Sequence, residues 1–283
     1  MGDYSCDCSI NYFSSYVTLK SKIISMIVGS IKEDINVEKR VSLTPETAKN
    51  IKALGLKLCI EKNYANHLGI NDREYQDIGV EIKSSSAEVI NSSNLIIKVN
   101  CLSEKEISCL KENKIIVGMF NPSKNKDQID MIVKKGVKIF SLELLPRITR
   151  AQSMDVLSSQ SNLAGYRAVI DCVSEFEKAV PMMMTAAGTV PAAKILVIGA
   201  GVAGLQAIAT AKRLGAIVSA TDVRAASKEQ VESLGGKFLN VEQSEDMETV
   251  GGYAKETSDD YKKKQAEMMK DALKKNDIVI CTA

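Results

Sequence analysis

Histidine is almost missing from this chain: His67 is the only one in 283 residues. One imidazole cannot build a multi-histidine metal centre. It sits in Ala65-Asn66-His67-Leu68-Gly69, a turn-like stretch before Ile70, where a structural role is expected. The seven cysteines supply no metal site either. Only Cys6 and Cys8 are close, and one intervening residue fits neither a zinc knuckle nor a thioredoxin-like pair. Scattered thiols in odd number point to a reducing compartment. No apolar run approaches the roughly 18 residues that cross a bilayer, and Ile23 to Ile31 reads better as part of a strand. An excess of one charge is lacking too: 37 basic and 35 acidic side chains leave a formal charge of +2 and no electrostatic footprint for nucleic acid. The run Lys262, Lys263, Lys264 is bounded by Asp259, Asp260 and Glu267, as on a solvated helix face. Residues 1–25 lack the basic start, apolar core and small-residue cleavage site of a secretory leader. They read as an extension without fixed structure, or as a divergent targeting leader.

What is present is a globular composition, 45% apolar and 25% charged, with length for two domains. Short β-rich runs at Ile27 to Gly29, Leu56 to Ile60, Leu95 to Val99, Ile115 to Gly118 and Val137 to Phe140 alternate with helix signals. Thr44 caps a helix opening at Pro45 with Glu46 on its positive end, and Ser103 with Glu106 forms a capping box. Such alternation implies crossovers and a mostly parallel sheet. A long helix is expected from Gln152 to about Lys178, with Ala164, Ala168, Cys172 and Phe176 along one face. Lys194 to Ile198, Ile217 to Asp222, Lys237 to Leu239 and Asp277 to Cys281 then read as strands. Helices at Val202 to Leu214, Lys228 to Leu234 and Tyr261 to Lys274 complete a second doubly wound unit. The polar stretch Glu242 to Ser258 carries no element signal, and a loop of that length in a compact domain is usually functional or disordered. The division expected is an extension over 1–25, a first α/β lobe over 26–147 and a dinucleotide-binding lobe over 148–283. The chain stops at Ala283 directly after a strand, which reads as a piece of something longer.

The most specific chemical signal is Gly199-Ala200-Gly201-Val202-Ala203-Gly204. It follows a strand and opens a helix, the context that separates a dinucleotide fingerprint from a chance glycine triplet. Gly199 permits the tight turn, Gly201 lets a pyrophosphate approach the backbone, and Gly204 lets helix and strand pack. The helix N-terminus offers N–H groups and partial positive charge to the phosphates. Asp222 ends the next strand, placed to accept hydrogen bonds from the ribose hydroxyls of NAD and to repel the 2′-phosphate of NADP. Arg224 pulls the other way, since a guanidinium pairs with that phosphate. The position of the acid favours NAD.

A second block runs from Arg147 through Gln152, Asp155 and Ser158 to Arg167. Polar groups crowd what should be an apolar helix start, and at helical spacing Gln152, Asp155 and Ser158 share a face. Amide, carboxylate and hydroxyl together suit a nicotinamide carboxamide, which both donates and accepts. A capped helix with a polar first turn accounts for the same residues.

The stretch Arg150 to Val169 resembles the signature of the alpha subunit of proton-translocating NAD(P) transhydrogenases. So do Arg40-Val41-Ser42-Leu43-Thr44-Pro45, Lys98-Val99, Val117-Gly118-Met119-Phe120-Asn121-Pro122 and the glycine turn through Ala211. The resemblance spans nearly the whole chain from Met26. It implies two Rossmann-like lobes joined by a long helix, with NAD(H) in the cleft between them. It carries nicotinamide-side roles onto Arg147, Gln152, Asp155 and Ser158, the middle two for alignment without acid–base work. Adenosine-side roles fall on the glycines with Val202 and Ala203, and on Asp222, Val223 and Arg224. Gly251-Gly252-Tyr253-Ala254 resembles the family's mobile loop, placing Tyr253 over the nucleotide. The resemblance further implies a homodimer at a membrane face, bacterial cytoplasmic or organellar. An NADP(H)-binding domain and a membrane proton-channel domain would be its partners. The departures are the extension, Phe120 and Ser123, and an end before the Leu-Ile-Pro-Gly segment expected next, which would leave the first lobe incomplete.

Alanine dehydrogenase shares this fold and several of these motifs. Reducing pyruvate with ammonia needs a proton donor, and similarity to that family would place it in a Leu-His-Leu-Ala stretch. Met119 to Pro122 stands there in this chain, without histidine. Hydride transfer between two nicotinamides moves no proton in the chemical step and needs only alignment and exclusion of water. A third reading is an NAD-binding module with no chemistry of its own.

Overall fold

The computed structural model describes residues 26–224, 226–240 and 259–282. The chain is α/β and divides into two compact units, Met1–Asp155 and Val156–Ala283. In the first, β1 (Ile27–Ser30), β2 (Lys57–Glu61), β3 (Glu81–Lys83), β4 (Leu95–Ile97), β5 (Ile115–Gly118) and β6 (Lys138–Ser141) form one parallel sheet in the order β3-β2-β1-β4-β5-β6. Between them lie α1 (Pro45–Ala53), α2 (Asp72–Asp77), α3 (Ser86–Ser92), α4 (Glu104–Ser108) and α5 (Lys126–Lys134). The order reverses between β1 and β4, the switch point of a doubly wound sheet.

Local chemistry fixes the helix starts. Thr44 and Thr47 close a capping box over α1, with Pro45 leading the helix, and Ser103 and Glu106 do the same for α4. Asn71 with Glu74 caps α2, whose six residues are too few to show a helical period in the sequence. One core gathers Val28, Ile60, Ala48 and Tyr75 beneath α1 and α2. The other gathers Ile96, Ile116, Val89, Ile107 and Ile132 beneath α3, α4 and α5. Strand residues alternate between faces. Leu95, Ile115, Val117 and Phe140 therefore fall on the side of β4 to β6 that α3 to α5 leave uncovered. There they line a hollow of about 590 Å3 with Leu144, Leu145 and Met154.

The second unit opens with α6 (Val156–Glu175), followed by an antiparallel hairpin of β7 (Met183–Thr185) and β8 (Gly188–Val190). A parallel sheet then runs β11-β10-β9-β12 from β9 (Lys194–Ile198), β10 (Ile217–Thr221), β11 (Lys237–Phe238) and β12 (Ile278–Cys281), joined by α7 (Val202–Arg213), α8 (Ser227–Ser233) and α9 (Asp259–Lys275). Ile195, Val197, Val218, Ala220 and Ile280 pack under Ala207, Ile208 and Ala211 of α7, with Val169 of α6 in the same core.

The long helix and the hairpin differ from the sequence expectation. The long helix starts at Val156 and ends at Glu175, inside the Gln152 to Lys178 span, because Thr149–Met154 winds as a 3-10 helix. The hairpin has no counterpart among the expected strands, since every residue of β7 and β8 is exposed and none carries a burial pattern.

Candidate functional site

The glycine turn lies between β9 and α7 in the second unit. Gly199 has φ +93°, a backbone that side chains resist, and its N–H donates to Thr221 O across the sheet at 2.8 Å. A Cβ on Gly204 would lie 1.9 Å from Gly199 O, so only glycine lets α7 start this close to β9. Gly201 differs: among the described residues its virtual Cβ would meet only Arg224 Nη2, 3.9 Å away. Gly201 is also the N-cap of α7 and supplies no side-chain capping bond. Among the described residues, backbone N–H groups and the positive end of a 12-residue helix thus face open space above Gly201. That is the geometry an anionic phosphate requires. Val202 stands half exposed at the same helix start, with Ala203 behind it.

The turn is braced from two sides. Thr282, just past β12, donates from Oγ1 to Gly199 O at 3.0 Å. On α6, a Cβ on Gly165 would sit 2.0 Å from Ala203 O, so α6 crosses the first turn of α7 at backbone contact. Asn162 Nδ2 also donates to Gln206 Oε1 at 3.2 Å. Thr282 escapes sequence reasoning, since a lone threonine after a strand carries no signal.

Asp222 follows β10 with Val223 and Arg224 after it. Its Oδ2 accepts from Ala200 N–H at 2.7 Å and from Arg224 Nη2 at 3.0 Å. Its Oδ1 accepts from Arg224 N–H and Nε, each at 2.9 Å. Burial of the carboxyl pushes its pKa up, but the Arg224 side chain and the two backbone N–H groups outweigh that and hold it below the ordinary aspartate value.

The polar block is set differently from the sequence expectation. Arg147 and Gln152 are exposed, and Gln152 lies on the 3-10 helix. Asp155 follows that helix with φ −73° and ψ 89°, its N–H donating to Gln152 O at 3.2 Å. Ser158 belongs to α6, in the second unit. Three backbone settings thus replace the single helical face expected for Gln152, Asp155 and Ser158. Tyr253 and the 242–258 stretch lie outside the described residues.

At the switch point of the first unit, Lys98 is 6% exposed and donates to Glu106 at 2.8 and 3.0 Å. Arg40 forks onto Glu38. Tyr64 accepts the Ser42 and Leu43 N–H groups at 3.1 and 3.2 Å, pinning the Arg40 to Pro45 motif against β1. His67 pairs by Nε2 with Lys39 O at 2.7 Å, a loop tie. At the end of β5, Phe120 is core and Asn121 takes φ +45°. Among the described residues no group of three metal-ligating side chains converges, and no helix is long and apolar enough to cross a membrane.

Comparison with known proteins shows the family of the chain. Residues 29–164 match the family model "Alanine dehydrogenase/PNT, N-terminal domain", and residues 168–283 the corresponding C-terminal domain. The NAD(P) transhydrogenase alpha subunit of Rickettsia prowazekii, in the first of the pieces into which that subunit is divided, is 47% identical over 262 residues, covering 91% of this chain and 68% of that protein. A crystal structure of transhydrogenase from Sinorhizobium meliloti superposes with a TM-score of 0.79 at 46% identity, over 91% of this chain and 69% of that one. Alanine dehydrogenase of Methanococcus maripaludis is more distant, 28% identical over 70% of this chain and 53% of that protein.

Proposed function

The chain belongs to the alanine dehydrogenase/PNT family, among the transhydrogenase alpha subunits, and from that membership we propose that it is the NAD(H)-binding component of a proton-translocating transhydrogenase. Bound NADH supplies the hydride, and NADP+ on a partner domain receives it. The observation that carries this reading is the pairing of an open glycine turn at an uncapped helix N-terminus with an ionised Asp222 at the end of the neighbouring strand. The chain's own tasks are binding and alignment. The α7 N-terminus holds the pyrophosphate, Asp222 takes the adenosine ribose, and Arg147, Gln152, Asp155 and Ser158 orient the nicotinamide. No proton changes hands in such a step, which suits a chain whose single histidine is spent on the Lys39 carbonyl.

Two surfaces support the assembly we propose. The exposed methionine hairpin at Met182, Met183 and Met184 supports a homodimer, since apolar side chains in such a run gain from burial against a second copy. The half-covered face at Ile115, Val117 and Phe140, where Phe140 is 54% exposed, supports a first lobe completed by further chain, because parallel sheets are covered on both faces. An NADP(H)-binding domain and a membrane proton channel are the remaining partners, placing the chain at a membrane face.

Titration with NADH and NADPH, then hydride transfer to an NADP+ analogue with an NADP(H)-binding domain added, tests the reading. Preference for NADH by tenfold or more, about 1.4 kcal/mol, with transfer only when the partner is present, is expected. Equal affinities, or reduction of pyruvate with ammonia by this chain, would refute it.

A further inference from the structure

Arg224 stands in an unusual relation to the site just proposed. A carboxylate offers about four lone-pair positions, and all four of Asp222's are taken: Oδ1 by Arg224 N–H and Nε, Oδ2 by Ala200 N–H and Arg224 Nη2. The carboxylate is 7% exposed and the guanidinium 25%, so the fork is the solvent-facing lid of the pair. Among the described residues, the same Nη2 is the only atom a Cβ on Gly201 would meet, which puts the guanidinium beside the open ground above the glycine turn.

Counting donors shows what this arrangement permits. If the side chain of Arg224 swings away, its backbone N–H stays on Oδ1 and Ala200 N–H stays on Oδ2. One lone pair then opens on each oxygen. A ribose with free 2′- and 3′-hydroxyls brings two O–H donors, one for each. A ribose esterified at the 2′ position brings one, with added negative charge.

We propose that Arg224 gates the adenosine site: its fork fills Asp222 and flanks Gly201, and a ribose diol enters by displacing it. The gate rests on the nucleotide reading above. It assigns to Arg224 a role in selectivity distinct from pairing with a phosphate, because the diol can replace both bonds that its side chain gives Asp222 and a 2′-phosphorylated ribose cannot. Opening uncovers Asp222 for a ligand that repays both hydrogen bonds and leaves it covered for one that does not.

The test is a calorimetric titration of wild type and R224K with NADH and with NADH lacking the adenosine 2′-hydroxyl. Lysine keeps the charge but cannot fork. R224K should bind NADH at least threefold more tightly than wild type, with a smaller gain for the 2′-deoxy form, which cannot fill both vacated positions. Unchanged or weaker NADH binding by R224K, or an equal gain for both nucleotides, overturns the gate. Should the lysine variant not fold, R224A is read in the same way. Wild-type protein that fails to bind NADH removes the proposed function and the gate together. NADH binding by wild type with no tightening in R224K removes the gate alone.

Discussion

Gly201 and Gly204 are three positions apart and make opposite demands. A methyl at Gly204 would collide with Gly199 O at 1.9 Å, backbone that cannot move aside, so G204A should lose roughly 1–3 kcal/mol of stability or more. Among the described residues a methyl at Gly201 meets nothing closer than 3.9 Å, so G201A should fold with an unchanged Tm yet bind NADH at least tenfold more weakly, by standing where the pyrophosphate approaches. Thermal melts beside titrations check both. If the two variants lose stability equally, the distinction between packing and ligand glycine is wrong. Asp222 adds a pH signature. Its folded pKa lies below the ordinary 3.8, so its stabilisation is complete above that value and is lost as pH falls through the lower folded one. The stability gap between wild type and D222N should be roughly 1–3 kcal/mol near neutrality. It should close in urea unfolding carried out well below pH 3.8.

At the scale of elements, Gly165 tests how α6 meets α7. G165A would drive a methyl into Ala203 O, push α6 off the first turn of α7, and weaken nucleotide binding along with stability. Most of this layer is legible in the sequence because the strands are buried and the helix starts are capped: Ile195 to Ile198 and Ile115 to Gly118 read plainly, as do the boxes at Thr44 and Ser103. What escapes has a common cause. The edge strand Glu81–Lys83 has three residues, two of them charged, and α2 and α3 are too short to show a period. Every residue of the hairpin is exposed. The start of α6 is misplaced by sequence because Gln152 and Asp155 suit an α-helix locally, while the backbone turns tighter before Val156. In the candidate site the glycines and Asp222 are readable from spacing. The fork of Arg224 and the Thr282 brace are not, since both depend on which atoms the fold brings together.

For the molecule as a whole, the proposed division of labour predicts a split between binding and turnover. Q152A and D155A should lower hydride transfer to partner-bound NADP+ at least tenfold while NADH affinity changes less than threefold, as expected of groups that act on alignment in the transition state. Parallel loss of affinity and rate would return both residues to simple binding. The hairpin carries a different consequence. Met182, Met183 and Met184 are three thioethers in a row, 60%, 51% and 72% exposed. Peroxide turns each into a sulfoxide, polar where the thioether was apolar. A surface that associates through these side chains is therefore sensitive to oxidants, and a methionine sulfoxide reductase would restore it. For the proposed dimer, if it pairs through the hairpin, mild peroxide should shift sedimentation toward monomer, and M182L, M183L and M184L together should resist that shift.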